Sequence, residues 1–192
     1  LISKMEISSS NVGLYVHIPF CQRKCPYCAF YSIPIDRRSP DRLVSALLKE
    51  VQLYEITEPI ETIYIGGGSP TCLPKDVLIG LTDSLKRRFN TVEEFTVECN
   101  PAQVDQSLFK QLLAAGVNRV SIGAQSFDAK ELRMLNRIHS PRQITDAVHA
   151  AHRAGFNNIG LDLIFGLPNS DLVVWRDTLE KAMEQDIRHI SA

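Results

Sequence analysis

Three cysteines stand close together near the start of the chain, in the stretch HIPFCQRKCPYCAFYS. Cys21, Cys25 and Cys28 form a C-x3-C-x2-C run, and Phe30 occupies the position where a fourth cysteine could stand. Clustered thiols are typical of metal and iron–sulfur sites. A cubane iron–sulfur cluster normally takes four thiolates, so three cysteines would leave one iron without a protein ligand. An iron with an open position can hold a substrate.

A single zinc ion is the alternative interpretation of the same residues. His17, four residues before Cys21, would then be the fourth ligand. Structural zinc sites usually combine two C-x2-C pairs, or a cysteine pair and a histidine pair that lie further apart. His17 also falls in a predicted strand, where the sheet fixes the direction of its side chain. The spacing therefore favours the iron–sulfur cluster.

The composition gives no sign of a nucleic-acid partner. The chain has 192 residues, with five cysteines, 21 basic and 22 acidic residues and a formal net charge of −1. An odd number of cysteines, three of them within eight residues, fits a bound metal in a reducing compartment better than a disulfide framework. The sequence has no apolar run long enough to cross a membrane and no basic-then-apolar leader. We therefore expect a cytoplasmic protein without a transmembrane segment.

Six short β-rich segments alternate with longer amphipathic segments, a pattern that indicates parallel strands with crossover helices. Helices are expected after Ser39 and Pro74, near Asp105 and Asp171, and from Ser140, where a capping box opens a helix that Gly155 closes. Four of the predicted strands are near-continuous apolar runs, as expected for strands covered on both faces. The six predicted strands are 13–18, 62–67, 95–99, 119–124, 159–166 and 189–192.

Repeated βα units with right-handed crossovers curl into a barrel. The sequence therefore predicts an α/β fold, a partial (β/α)6 barrel of parallel strands. No linker divides the chain, so we expect a tail at residues 1–12 and one domain at 13–192. The chain begins at Leu1 and stops at Ala192 inside the sixth strand, so we expect a fragment truncated at that strand, without a C-terminal domain.

Residues able to bind a ligand follow each of the first five predicted strands. Because the carboxyl ends of parallel strands meet at one edge, we expect these residues to lie together. Each motif alone has an ordinary alternative: a triple glycine can be a tight turn, polar residues can cap strands, and Cys72 and Cys99 can be buried thiols. The motifs are the cysteine run, GGGSPT (66–71), ECNP (98–101), GAQSFD (123–128) and DLIFGLP (162–168).

Together these motifs resemble the radical S-adenosylmethionine (SAM) superfamily. The resemblance rests on the cysteine run after the first strand, Tyr27 before the last cysteine, and GGGSP after the second strand. It implies a [4Fe–4S] cluster on Cys21, Cys25 and Cys28, whose open iron chelates the amino and carboxylate groups of SAM. An electron from the cluster would cleave the SAM sulfonium to give a 5′-deoxyadenosyl radical, while the protein orients the cofactors.

Longer stretches narrow the resemblance. LYVHIPFC, GGGSPT, GVNRVSIGAQSFD and IGLDLIFGLP resemble the oxygen-independent coproporphyrinogen III oxidase family. In the implied SAM site, glycines let the backbone approach the ligand, an arginine pairs with a carboxylate, and acidic residues accept from ribose hydroxyls or the ammonium group. The resemblance implies SAM contacts from Tyr15, Tyr27, Gly67, Gly68, Ser69, Glu98, Gln125, Arg137 and Asp162.

Phe30 is a departure from the oxidases of that family, whose run extends to C-x3-C-x2-C-x-C. The chain instead resembles the branch of haem chaperones, which bind haem, pass it to acceptor proteins and keep the cluster and SAM site. Three functions follow as hypotheses: a haem chaperone, an oxidase that decarboxylates coproporphyrinogen III, and a metal-stabilised structural domain. Implied partners are haem or a porphyrin, an electron donor and a haem-acceptor protein.

Overall fold

A computed structural model describes residues 12–35, 39–56 and 58–192. Its strands, in chain order, are β1 (Val12–Ile18), β2 (Phe20–Cys21), β3 (Ile33–Pro34), β4 (Ile60–Gly67), β5 (Glu94–Cys99), β6 (Arg119–Gln125), β7 (Ile159–Leu163) and β8 (His189–Ser191). Its α-helices are α1 (Pro40–Leu53), α2 (Lys75–Arg88), α3 (Gln106–Ala114), α4 (Ala129–Met134), α5 (Pro141–Ala154) and α6 (Leu172–Met183). Two 3-10 turns cover Pro70–Cys72 and Pro101–Gln103.

Six strands form one parallel sheet in the order β1-β4-β5-β6-β7-β8. Each strand pairs with the next long strand along the chain, and a helix covers each connection, which confirms the predicted partial barrel. The short strands β2 and β3 pair separately, also in parallel. Within the described part of the chain, no helix combines the length and apolar character that a membrane span needs.

The fifth predicted strand was too long, because it ends at Leu163 rather than at residue 166. Its neighbour β6 ends in a register shift between Gly123 and Gln125, and β8 pairs only as far as Asp162. Beyond Leu163 neither neighbour continues the ladder, although the Ile164 N–H still donates to the carbonyl oxygen of Gln125. The apolar run therefore continues past the point where the sheet can pair with it.

The predicted helix starts are found, with one difference in capping. The capping box of Ser140 and Gln143 is present, and Gly155 ends that helix in the left-handed conformation with φ +109°. Pro40 opens α1 as expected, but Ser39, the expected N-cap, makes no capping hydrogen bond through its side chain. The sequence did not predict α4, which begins after Asp128, whose carboxylate accepts from the backbone of Lys130 and Glu131.

The two faces of the sheet carry different residues because strand side chains alternate. The face toward the helices is apolar, and its residues are fully or almost fully buried. They include Ile63, Ile65, Phe95, Val97, Val120, Ile122 and Leu161. The other face, toward the barrel interior, carries polar residues at the alternate positions Tyr64, Thr96, Glu98, Ser121 and Asp162. Helices cover one face of the sheet with an apolar core, whereas the other face is polar and lines the barrel interior.

Candidate functional site

A cavity of about 430 Å³ opens at the carboxyl edge of the sheet. Twelve residues were candidates from the sequence, and all but Tyr15 line this cavity. Tyr15 is on the interior face of β1, where its ring stacks on Tyr64 with the centroids 6.0 Å apart. The eleven lining candidates are Cys21, Cys25, Cys28, Tyr27, Gly67, Gly68, Ser69, Glu98, Gln125, Arg137 and Asp162.

The three cysteines belong to one loop that is closed at its neck, which we call the cysteine loop (residues 21–33). The neck is the short β2–β3 pair, in which Ile33 N–H donates to the carbonyl oxygen of Pro19 at 2.7 Å. Ile35 N–H donates to the carbonyl oxygen of Cys21 at 2.9 Å. A turn between Cys25 and Cys28 is closed by a 3.2 Å backbone hydrogen bond. These bonds hold the three thiols on one wall of the cavity.

Lys24 ties the cysteine loop together from within. Its ammonium group donates to the carbonyl oxygen of Phe30 at 2.9 Å and to the Ser32 hydroxyl at 3.0 Å. Hydrogen bonds from a charged donor are stronger than those between neutral groups. Lys24 therefore fixes the shape of a loop that has almost no regular secondary structure of its own.

His17, on β1, contacts the cysteine loop at Tyr31 and is not positioned as a metal ligand. Its Nε2 donates to the carbonyl oxygen of Tyr31 at 2.9 Å, so Nδ1 is the acceptor for the Tyr15 hydroxyl at 3.1 Å. Both ring nitrogens are therefore occupied. This geometry argues against a zinc ion held by His17 and the cysteines.

The donor set fits a cluster better than a single ion. Across the described residues, no three His, Cys, Asp or Glu side chains stand close enough to share one metal ion. A cubane binds each thiolate to a different iron, so its ligand sulfurs need not converge on one point. Burial raises the pKa of the Cys21 thiol, and nearby Cys28 and Cys25 raise it further. A cationic metal centre would relieve that repulsion between thiolates.

The consecutive glycines after β4 pack against the protein itself. Gly68 N–H donates to the carbonyl oxygen of Ile18 at 2.8 Å, and a Cβ on Gly68 would lie 2.5 Å from the carbonyl oxygen of Phe20. Gly67 has φ +109°, and a Cβ there would meet the His17 ring at 2.5 Å. The glycines therefore let the end of β4 lie against β1 and the neck of the cysteine loop.

Glu98 is held by two donors at the cavity wall. One carboxylate oxygen accepts from the Tyr64 hydroxyl at 2.8 Å and the other from Gly67 N–H at 3.1 Å. Burial raises the pKa of Glu98 above its usual range, and both of these hydrogen bonds lower it. The carboxylate is thus oriented before any ligand arrives, and its remaining lone pairs can accept from hydroxyl or ammonium groups.

Asp162 occupies a similar environment on β7. The Ser121 hydroxyl lies 3.0 and 3.1 Å from its two carboxylate oxygens. Burial raises the pKa of Asp162, whereas the Ser121 hydrogen bond and the positive charge of Arg119 lower it. Glu98 near the end of β5 and Asp162 near the end of β7, the two strands that flank β6, give this side of the cavity a hydrogen-bond-accepting character.

Arg137 supplies a positive charge to the cavity wall beside β6. Its Nη2 donates to the carbonyl oxygen of Gly123 at 2.8 Å, and Nη1 lies 4.0 Å from Cys25 Sγ. Its Nε is buried and has no hydrogen-bond partner among the described residues. The guanidinium group is therefore anchored at one nitrogen and keeps donors for an anionic group. Gln125, with φ +68°, ends β6 beside it.

Three other lining residues complete the rim. Burial raises the pKa of Tyr27 to about 12, so its hydroxyl stays protonated. The Ser69 hydroxyl donates to the Gln103 side chain at 2.7 Å. Phe30 lines the cavity with 65% of its surface exposed. An exposed aromatic side chain next to the thiols gives this rim an apolar surface that a cysteine would not provide.

Sequence reasoning missed three residues of this site. Tyr64 and Ser121 orient the two acidic groups, and Asn136 contacts the cysteine loop from the connection between α4 and α5. Strand alternation could have placed Tyr64 and Ser121 on the same face as the acidic residues. Asn136 carried no such signal, since its partners are more than a hundred residues away in the sequence.

The sequence pattern of the radical SAM superfamily matches residues 15–182. The chain belongs to this superfamily. Membership implies a [4Fe–4S] cluster and SAM as cofactors, in agreement with a cavity that combines three thiols with polar strand ends.

Similar proteins narrow the relationship within the superfamily. The chain is 36% identical to the haem chaperone HemW of Lactococcus lactis subsp. lactis (strain IL1403) over 179 residues, which cover 92% of this chain and 47% of that protein. It is 37% identical to HemW of Escherichia coli (strain K12), covering 94% and 49%. The coproporphyrinogen III oxidase HemN of Escherichia coli, a radical SAM enzyme, superimposes with a TM-score of 0.81 at 27% identity, covering 94% and 44%. The chain thus spans about half the length of these relatives.

Proposed function

We propose that Cys21, Cys25 and Cys28 hold a [4Fe–4S] cluster in a SAM-binding cavity, and that the protein is a haem chaperone which transfers haem to acceptor proteins. The observation that carries this proposal is that the three thiols and eight of the nine proposed SAM contacts line one cavity. The named function of the HemW relatives supports the haem part. The odd number of cysteines, three of them within eight residues, supports a location in a reducing compartment such as the cytoplasm.

The proposed roles follow from the contacts of each residue. When bound, the cluster and SAM supply one-electron chemistry that amino-acid side chains cannot provide. Arg137 pairs through its unused donors with the carboxylate of SAM. Glu98 and Asp162, held in place by Tyr64 and Ser121, accept from its ammonium or ribose hydroxyl groups. Because these groups are oriented by the protein, the ligand does not have to reorganise them when it binds.

Phe30 distinguishes the chaperone from the oxidase. The oxidases carry a cysteine two positions after the last cluster ligand, whereas this chain has an exposed phenylalanine facing the cavity. An aromatic side chain in that place favours contact with a flat apolar ligand over a further thiol ligand. The resemblance to HemN keeps porphyrinogen decarboxylation as the outcome against which the proposal is tested.

The cluster is tested by anaerobic reconstitution with iron and sulfide. We expect a brown protein with about four irons per chain, the cubane stoichiometry. Cys28→Ala should abolish the colour. The matched substitution Cys72→Ala should leave it, because Cys72 does not line the cavity and burial raises the pKa of its thiol to about 12. Zinc in place of iron, or loss of colour in Cys72→Ala, would contradict the proposed ligands.

The chaperone function is tested on the full-length protein that contains this chain. We expect haem to bind, measured by absorption titration, and we expect no conversion of coproporphyrinogen III under anaerobic turnover with SAM and a reductant. Phe30→Cys alone should not create the activity, because the other substrate contacts would still be missing. Accumulation of protoporphyrinogen IX over several turnovers would overturn the chaperone function in favour of the enzyme.

A further inference from the structure

Asn136 connects two distant parts of the chain at the edge of the cavity. Its Oδ1 accepts from Arg23 Nη1 at 3.1 Å, and its Nδ2 donates to the carbonyl oxygen of Lys24 at 3.4 Å. Both partners belong to the short segment between Cys21 and Cys25. They precede Asn136 by 113 and 112 residues, respectively.

The backbone at Asn136 explains how its side chain reaches the cysteine loop. Helix α4 ends at Met134, and Asn136 adopts a left-handed conformation with φ +56°. Asparagine tolerates this region better than most residues. Arg137 N–H then donates to the carbonyl oxygen of Leu132 at 2.9 Å, which caps the helix. This reversal directs Asn136 and Arg137 to the same wall, where both line the cavity.

The segment that Asn136 holds has few other supports. Residues 22–25 form no helix or strand. On the other side of the loop, the Gln103 side chain donates to Gln22 at 3.3 Å. The Lys24 ammonium is directed inward to Phe30 and Ser32. Among the residues that the structure describes, Asn136 is therefore the one outside the loop that binds the backbone between the first two cysteines, and Arg23 is its charged partner.

We propose that Asn136 is a positioning residue for the cluster. By holding Arg23 and Lys24 against the barrel, it keeps Cys21 and Cys25 at the separation at which they ligate. The inference rests on the proposed function, in which the three cysteines carry the cluster. Without the Asn136 contacts the cluster still assembles, but the cysteine loop opens more often, so iron is lost faster.

The test uses full-length protein reconstituted anaerobically, with excess iron chelator as the probe and loss of cluster absorbance as the readout. Asn136→Gly removes the side chain and preserves the left-handed backbone. We expect it to lose iron about fivefold to tenfold faster than wild type, as for one or two hydrogen bonds. The matched control is Asn169→Gly, which has a similar backbone with φ +61° but does not line the cavity, and it should match wild type.

Two further variants separate positioning from a general structural effect. Asn136→Asp keeps the acceptor for Arg23 and should retain iron better than Asn136→Gly. Arg23→Ala combined with Asn136→Gly should release iron no faster than Asn136→Gly alone, because both remove the same contact. Thermal unfolding of the cluster-free protein measures the general effect on stability, and Asn136→Gly should be less stable than Asn169→Gly by no more than the loss of one or two hydrogen bonds accounts for.

Equal iron loss from wild type and Asn136→Gly would overturn this inference alone and leave the cluster assignment intact. Faster loss in Asn136→Gly that Asn136→Asp does not reduce at all would also overturn it, because the contact with Arg23 would then be irrelevant. A wild-type protein that takes up no iron would instead refute the proposed function, and the role of Asn136 with it.

Discussion

The two faces of the parallel sheet differ in what they contribute. Phe95, Val97 and Ile122 face the helices with no exposed surface, whereas Thr96, Glu98 and Ser121 alternate with them toward the barrel interior. In a closed barrel of eight strands, branched apolar side chains fill the interior. In this six-stranded sheet, the helix-facing side supplies the apolar core, and the interior side is available for groups that bind.

The parallel register places polar groups of the interior face next to one another on adjacent strands. His17 pairs with Gly66, Glu98 with Ser121, and Gly123 with Asp162. A shift of one residue in any strand would exchange its interior and helix-facing side chains. Burial of the apolar face thus fixes the strand register, and the register determines where the polar side chains of the interior face lie. The following predictions test this division between the faces.

The largest effect on stability is expected from Phe95→Ala. Phe95 is fully buried among the helix-facing residues, so its truncation should lower the free energy of unfolding by about 3–5 kcal/mol. Ser121→Ala, on the interior face of the next strand, removes one hydrogen bond and should cost about 1 kcal/mol. Denaturant titration measures both. Equal losses would mean that the interior face is as much a core as the other.

A smaller effect is expected from Gly68→Ala, where the two faces meet the cysteine loop. The new Cβ would lie 2.5 Å from the carbonyl oxygen of Phe20, so the neck of the loop must shift. We expect a loss of about 1–3 kcal/mol, as for other overpacked positions, together with weaker cluster retention. Gly80→Ala in α2, where a Cβ meets nothing within 4 Å, is the control. An unchanged cluster in Gly68→Ala would show that the neck tolerates movement.

Tyr64→Phe should change how binding depends on pH. The Tyr64 hydroxyl lowers the pKa of Glu98, so its removal should raise that pKa further. If ionised Glu98 accepts from SAM, the pH at which SAM affinity falls on acidification should move upward. Calorimetric titration at a series of pH values above the ordinary carboxyl pKa measures this shift.

Tyr15→Phe is the matched control for Tyr64→Phe. The Tyr15 hydroxyl donates to His17 rather than to Glu98, so the pH midpoint should stay in place. A midpoint that moved equally in both variants would indicate a general effect of the two stacked rings. A midpoint that moved in neither would show that Glu98 does not set SAM affinity.

The smallest effect is expected from Asp162→Asn, and its sign depends on pH. The pKa of Asp162 is raised in the folded protein, so its contribution to stability is full below the unfolded pKa and is lost as pH rises through the folded pKa. Asp162→Asn should therefore be more stable than wild type near pH 7, and the difference should vanish toward about pH 4.

The exposed Asp177→Asn serves as control for Asp162→Asn. Asp177 pairs with Lys181 one helical turn away, and its loss should cost no more than about 0.5 kcal/mol. Denaturant titrations at neutral and acidic pH measure both variants. An Asp162→Asn protein that was less stable at neutral pH would mean that the Ser121 and Arg119 contacts outweigh the burial of the charge.

Local patterns in the sequence were enough to predict most of the strands and helices and their order. Apolar runs predicted the strands, and the capping box at Ser140 predicted the start of a helix, because these signals involve neighbouring residues. Helix α4 escaped prediction because six residues are too few to show a helical period. The end of β7 escaped because it depends on where β6 and β8 stop pairing.

The sequence could predict only those residues of the candidate site that belong to motifs at the ends of strands. The ends of the strands indicated which residues gather, and eleven of twelve line the cavity. The hydrogen bonds that orient them join different strands, as between Tyr64 and Glu98, so they require the register. Tyr15 lies away from the cavity because its position on β1 directs its hydroxyl to His17. Its contact with SAM remains a prediction.

The long-range contacts of the cysteine loop have a consequence for the order of folding. The three cysteines are synthesised early. Asn136 and Arg137, which contact the cysteine loop at Lys24 and Cys25, follow these residues by 112 positions in the chain. Closing so long a segment of chain is slow compared with forming local helices. During synthesis, the thiols therefore wait without their supporting wall until β6 and the start of α5 have folded. Under the proposed function, iron and sulfide would therefore enter a scaffold that has already folded, and an interrupted chain would leave three thiols open to oxidation.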